Sequence, residues 1–151
     1  MITYDGPGDL FSSSCDALVV PVNCAGVMGK GVALTFQERF PGLLERYRKH
    51  FPRTDRPDPA LLEHIGVVRL KDGRKIVLLP TKLHWRDTAS LSALHLTLQA
   101  LLRVWETEDL GSVAFPAIGC GEGGLRWSDV HGMLHRYFAD SRFVVEIYHP
   151  R

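Results

Sequence analysis

The sequence predicts a single α/β domain, a mixed central sheet of about six strands flanked by helices on both faces. Three observations predict it. Short runs rich in Val, Ile, Leu or aromatic residues alternate with helical stripes, the order that layers helices over a sheet. Lys71, Asp72 and Gly73 form a tight turn between two of those runs, which makes a hairpin and therefore a mixed sheet. The 151 residues, 45% hydrophobic and 23% charged, suffice for one complete core and leave no room for a second catalytic domain.

Strand signals fall at residues 2–4, 17–22, 65–70, 75–79, 112–115 and 143–148. Between residues 87 and 106, Leu91, Leu94, Leu98, Leu101, Leu102 and Trp105 recur at intervals of three and four, with Asp87 or Thr88 as the expected N-cap. Val32, Phe36, Phe40, Leu43, Tyr47 and Phe51 make a second stripe, which Pro41 should split at Phe40 because proline bars the preceding residue from helical geometry. Ser128 is the expected cap of a third helix carrying Val130, Leu134 and Phe138. Residues 52–59, PRTDRPDP, read as a surface loop.

Composition narrows the function classes. Eighteen Lys and Arg against 17 Asp and Glu give a net charge of +1, so no whole-protein field gathers nucleic acid and any such contact must be local. Cys15, Cys24 and Cys120 are odd in number and lack C-x-x-C spacing, which disfavours a disulfide framework and a thiolate zinc site, and points to a reducing cytoplasm. No leader pattern opens MITYDGPGDL and no apolar run approaches the roughly 18 residues of a membrane span, so a soluble monomer without a membrane partner is expected.

Two glycine loops carry the chemistry. GCGEGG at 119–124 matches the dinucleotide fingerprint G-x-G-x-x-G by letter, but a Rossmann loop follows the first strand of a two-half fold and only about thirty residues remain here. CAGVMGKG at 24–31 is not a Walker A loop, which would need Gly at Cys24 and a hydroxyl at Gly31. What remains is two strand–glycine loop–helix units, each exposing backbone N–H groups beside the positive end of a helix. Such loops at neighbouring strand ends suit one diphosphate clamped from both sides.

GDL at 8–10, VNCAGVMGKGVAL at 22–34 and PAIGCGEGGLRW at 116–127 resemble, in order and across essentially the whole chain, the ADP-ribose-binding segments of the macrodomain family. LPTKLHWR at 79–86 is similar to the lysine-bearing segment of the branch that holds terminal ADP-ribose glycohydrolase and the DarG antitoxins, and the DarG type is the nearer. DarG enzymes remove ADP-ribose from thymidine in single-stranded DNA. The resemblance therefore implies an ADP-ribosyl glycohydrolase without a cofactor, whose partners are ADP-ribose, an ADP-ribosylated single-stranded DNA or protein, and an ADP-ribosyltransferase toxin. DarG antitoxins also carry a C-terminal extension that engages the toxin, and the matched segments end within these 151 residues.

By the same resemblance, Asp9 takes the adenine amino group with the Leu10 backbone nearby, although Asp9 is equally suited to cap a helix. Asn23 holds the distal-ribose hydroxyls, or ends its strand as a turn residue. Gly29, Lys30, Gly31 and Val32, with Ile118, Gly119, Cys120, Gly121, Glu122 and Gly123, wrap the diphosphate and distal ribose through backbone groups, and Thr81 joins them. The resemblance makes Lys82 the catalytic residue, where a lysine by itself would read as a solvated surface charge. An amine beside the anomeric carbon attacks it or stabilises charge developing there, provided desolvation keeps enough of it neutral. His84 and Trp85 are candidates to stack on a target base, with core packing as the alternative.

One position departs from the pattern. Where terminal ADP-ribose glycohydrolase, which cleaves glutamate esters, has a catalytic aspartate, this chain has Gly123. That favours a nucleobase target over a carboxyl ester or O-acetyl group. A noncatalytic ADP-ribose reader remains a second class, and an oxidoreductase a third that lacks its substrate domain. His131 and His135 lie four apart, but without a third ligand motif they are assigned to the surface, as is Arg126, and no metal is expected.

Overall fold

The computed structural model describes residues 1–151. Its elements are β1 (Ile2–Gly6), β2 (Ala17–Asn23), α1 (Gly31–Arg39), α2 (Leu43–His50), β3 (Gly66–Arg69), β4 (Lys75–Lys82), α3 (Leu91–Val104), β5 (Ser112–Phe115), α4 (Trp127–Phe138) and β6 (Val144–Tyr148). The strands form one six-stranded sheet in the order β1-β6-β5-β2-β4-β3. All neighbours are parallel except β3 and β4, the hairpin pair. Gly73 turns that hairpin at φ 92°, a conformation that a side chain rarely adopts.

β2 and β4 are apolar along nearly their whole length because both of their faces are covered. Leu18, Val20, Val22, Ile76 and Leu78 pack with Phe36, Leu43 and Tyr47 of α1 and α2. Their alternating neighbours Ala17, Val19, Val77 and Leu79 pack with Leu94, Leu98 and Leu101 of α3 and Val130, Leu134 and Phe138 of α4. The period-2 alternation of a strand thus builds two cores, one on each face.

β1 runs two residues past its expected end to Gly6, β2, β3 and β6 differ from expectation by one residue at one or both ends, and three further boundaries shift for identifiable reasons. β4 runs on to Lys82 rather than ending at residue 79, passing through Pro80. Pairing with β3 stops at Leu78, so beyond it only β2 is paired and a missing N–H on the open side costs no ladder bond. α3 is capped by Ser90, whose Oγ accepts the Ala93 N–H at 3.1 Å, and not by Asp87 or Thr88. Asp87 instead closes the preceding turn, accepting the His84 N–H at 3.0 Å. α4 begins at Trp127, so Ser128 lies inside the first turn, while extended Arg126 precedes the helix and its guanidinium reaches Asp129 at 3.3 Å. Pro41 does split the second stripe into α1 and α2.

Candidate functional site

β2, β4 and β5 are parallel, so the loops after them leave the same edge of the sheet. There they enclose a cleft of about 560 Å³. Asn23 and Lys82, the last residues of β2 and β4, are register partners, and the Cys24 N–H ties the two ends together through the carbonyls of Lys82 (3.1 Å) and Leu83 (2.8 Å). The candidate ribose ligand and the candidate catalytic amine therefore stand side by side.

The first glycine loop is braced from behind. The Tyr47 hydroxyl donates to the Asn23 carbonyl at 2.6 Å and lies 3.0 Å from its Oδ1, and Arg48 Nε donates to the Gly26 carbonyl at 2.8 Å. Gly26, at φ 76°, lies so close to the Phe51–Arg53 backbone that a Cβ would stand 2.7 Å from Arg53. Asn23 serves the turn: its Oδ1 accepts the Ala25 N–H at 2.9 Å and its Nδ2 donates to the Val27 carbonyl at 2.7 Å. That is the turn-residue reading of Asn23; its second Nδ2 hydrogen has no partner within the turn. Gly29, Lys30, Gly31 and Val32 all line the cleft, where the N-terminus of α1 presents N–H groups with no partner inside the helix.

The second loop is folded on itself. The Leu125 N–H bonds the Gly119 carbonyl at 2.9 Å, the Gly124 N–H bonds the Gly121 carbonyl at 3.1 Å, and the Ala89 N–H bonds the Gly123 carbonyl at 2.9 Å. These bonds use carbonyls and leave the N–H groups of Gly119, Gly121, Glu122 and Gly123 without a backbone acceptor, and all four residues line the cleft. A Cβ at Gly121 would meet nothing within 4 Å. At Gly123 it would stand 2.5 Å from the Gly119 carbonyl oxygen and 2.9 Å from its carbon. An aspartate cannot occupy that position without moving the loop, which gives the Gly123 departure a steric cause.

Lys82 Nζ donates to the Trp85 carbonyl at 3.1 Å and lies in the cleft beside Thr81. Trp85 keeps 38% of its surface exposed at the cleft, with the Arg86 guanidinium 4.5 Å from its ring centre. It is an exposed ring at the cleft rather than a core residue. His84 does not line the cleft; its Nδ1 accepts the Arg86 N–H at 3.1 Å and its ring lies against Trp85.

The remaining expected residues stand back from the cleft. Asp9 caps a short 3-10 turn, accepting the Phe11 N–H at 3.0 Å and the Ser12 hydroxyl at 3.2 Å, bonds that hold its carboxyl below the ordinary carboxylate value. Leu10 and Ile118 are buried. The Cys120 Sγ contacts the Ile118 carbonyl at 3.6 Å, and burial pushes its thiol up, away from the thiolate a nucleophile needs. Sequence reasoning missed Pro21, Val22, Val27, Ala33, Arg86, Asp87, Thr88 and Ala117, all of which line the cleft. For Arg86, Asp87 and Thr88, contiguity with LPTKLHW was a usable signal, but helical periodicity drew Asp87 and Thr88 into the cap of α3.

Comparisons with known proteins agree with this architecture. Residues 19–134 match the family model described as Macro domain. The chain is 38% identical over 150 residues to a DNA ADP-ribosyl glycohydrolase of Mycobacterium tuberculosis, covering 99% of this chain and 42% of that one. The solved macrodomain of Mycobacterium tuberculosis DarG superposes with a TM-score of 0.85 at 39% identity, covering 100% of this chain and 98% of the other. Thermosipho africanus DarTG in complex with ADP-ribose superposes at 0.82 with 29% identity, covering 95% and 40%. The chain spans about two fifths of the length of the mycobacterial and Thermosipho africanus relatives it matches. With a six-stranded mixed sheet between two helical layers and two glycine loops at one strand edge, the chain belongs to the macro domain family.

Proposed function

We propose that the chain is an ADP-ribosyl glycohydrolase whose target is a nucleobase, thymidine, in single-stranded DNA. The observation that carries this reading is the placement of Lys82 Nζ in the same cleft as the unpartnered N–H groups of both glycine loops. The diphosphate of ADP-ribose fits between the loops, where hydrogen bonds to charged oxygens are worth about 1.5–3 kcal/mol each. The distal ribose then falls between Asn23 and Lys82, and its anomeric carbon faces the amine. Cleavage breaks the bond from that carbon to the base; water supplies the hydroxyl to the sugar and the proton to the base. Lys82 contributes either as a neutral nucleophile or through the charge it sets beside the breaking bond.

The nucleobase target is supported by the lack of space for a carboxylate at Gly123 and by the exposed Trp85 ring at the cleft, flanked by Arg86. A base held outside a duplex stacks on such a ring. Hydrolysis of ADP-ribose esters on Glu or Asp is the second reading, because Asp87 and Glu122 also line the cleft and could serve as the acidic partner. The relative from Thermosipho africanus is named a fusion of a DNA ADP-ribosyl transferase with a DNA ADP-ribosyl glycohydrolase, which supports a transferase as the partner. The test incubates the protein separately with ADP-ribosylated single-stranded DNA and with glutamate-modified protein. Release of label from the DNA alone is expected; release from the protein alone would replace the nucleobase by the ester, and release from neither would end the hydrolase reading.

A further inference from the structure

At the β1–β6 edge of the sheet, four side chains from three separate segments meet. Asp5 lies on edge strand β1, His131 and His135 lie one turn apart on α4, and His149 follows β6. β1 and β6 run parallel with Asp5 opposite Ile147, and the His149 N–H bonds the Gly6 carbonyl at 2.9 Å, which fixes His149 beside Asp5. All three imidazoles turn Nε2 to the one carboxylate. His149 stands 2.6 Å from Oδ1, His135 2.6 Å from Oδ2, and His131 spans both at 3.0 and 2.9 Å. Trp127 packs against the rings of His131 and His149, with centroids 5.2 and 5.3 Å away, and holds both in place.

We propose that Asp5, His131 and His149 bind a divalent transition-metal ion of the zinc class, with His135 as the outer-shell partner of the Asp5 carboxylate. One ligand atom from each of the three lies within 4.8 Å of the others. Ligand atoms around tetrahedral zinc, at bond lengths of about 2.0–2.1 Å, are spaced by about 3.3 Å. The 2.6–3.0 Å contacts seen between Asp5 and its histidines open to that spacing by small side-chain rotations. His135 then stays on Oδ2 and orients the carboxylate, the role outer-shell groups play at metal sites. Two imidazoles and a carboxylate, with no thiolate, favour zinc, nickel or copper over calcium and magnesium. The side chains keep between 25% and 40% of their surface exposed, so an ion reaches them from solvent, and water supplies the fourth position.

None of the four lines the cleft, so this site stands independently of the proposed hydrolysis. An ion there would staple edge strand β1 to α4 and to the segment after β6. The alternative is a carboxylate that merely pairs with its histidines.

Tag-free protein stripped with chelator is titrated with Zn²⁺ at neutral pH by calorimetry, and its melting is followed with and without the ion. One Zn²⁺ per chain and a raised melting temperature are expected. Asp5→Ala and His149→Gln should each lose at least tenfold in affinity, His135→Ala should lose about 10–100-fold, and His84→Ala should bind as wild type does. Circular dichroism establishes that each variant is folded, and His131→Gln provides a further ligand replacement. No stoichiometric uptake by the wild type, or uptake that survives in folded Asp5→Ala and His149→Gln, overturns the proposal in favour of bare Asp–His pairing.

Discussion

Replacing Gly123 by alanine adds one methyl group where the second loop has none to spare. The new Cβ meets the Gly119 carbonyl oxygen at 2.5 Å and carbon at 2.9 Å, and the Ala89 Cβ at 3.0 Å. The first two atoms are backbone, so relief requires the loop to move, and with it the Gly123 carbonyl that accepts the Ala89 N–H. Overpacking of this kind costs about 1–3 kcal/mol, and the strained hydrogen bond about 1 kcal/mol. The stiffer unfolded chain offsets at most about 1 kcal/mol. A net loss of about 2 kcal/mol lowers the melting temperature of a chain this size by about 4–8 °C. The same movement displaces the cleft-facing N–H groups of Gly121, Glu122 and Gly123. If one donor to the diphosphate is lost, ADP-ribose affinity falls about tenfold or more. Scanning calorimetry and titration with ADP-ribose read the two effects. Gly123→Ala with wild-type melting and wild-type affinity would refute both the steric account of the missing aspartate and the placement of the diphosphate.

Gly121→Val is the complementary change: its Cβ meets nothing within 4 Å and points into open space at the cleft, so melting should stay within about 2 °C while ADP-ribose binding is lost, as calorimetry would record. Trp85→Ala should leave ADP-ribose affinity unchanged but slow release from ADP-ribosylated single-stranded DNA by about 5- to 150-fold, since stacking is worth about 1–3 kcal/mol per base; equal loss in both assays would place Trp85 in ligand binding instead. Burial raises the Asp5 carboxyl, but hydrogen bonds from His149, His135 and His131 outweigh it and bring it from 3.8 to about 2. A carboxyl lower in the folded state than in the unfolded one stabilises above about pH 4, and that contribution disappears as pH falls toward 2. In metal-free urea melts the advantage of wild type over Asp5→Asn should therefore shrink between those limits; a difference constant with pH would contradict it.

Where the chain is locally consistent, the sequence was enough. β2 and β4 are apolar runs because helices cover both faces, and β5 was bounded correctly at Ser112 and Phe115 by flanking turn residues. Capping was harder to read. Asp87, Thr88 and Ser90 are all acceptable caps within four residues, and only the turn closed by Asp87 decides for Ser90. At the site, the glycine spacing showed where backbone could approach a diphosphate, but not which N–H groups stay unpaired, since that depends on carbonyl partners such as Gly119 to Leu125 and Gly123 to Ala89. Lys82 was visible as a motif residue, yet its pairing with Asn23 required β4 to extend past Pro80. The assignment of His131 and His135 to a plain surface rested on the lack of a third ligand nearby in sequence. Asp5 is 126 residues from His131, and only the parallel pairing of β1 with β6 brings it and His149 together.

Lys82→Ala bears most directly on the central claim. Its release of labelled ADP-ribose from ADP-ribosylated single-stranded DNA is compared with wild type at saturating enzyme, alongside calorimetry with free ADP-ribose. The expected outcome is a loss of release by at least about 100-fold, some 3 kcal/mol of transition-state stabilisation, with ADP-ribose still bound within about threefold of wild type. Release at the wild-type rate by the variant would contradict catalysis by Lys82 and leave a cleft that binds ADP-ribose without using its lysine.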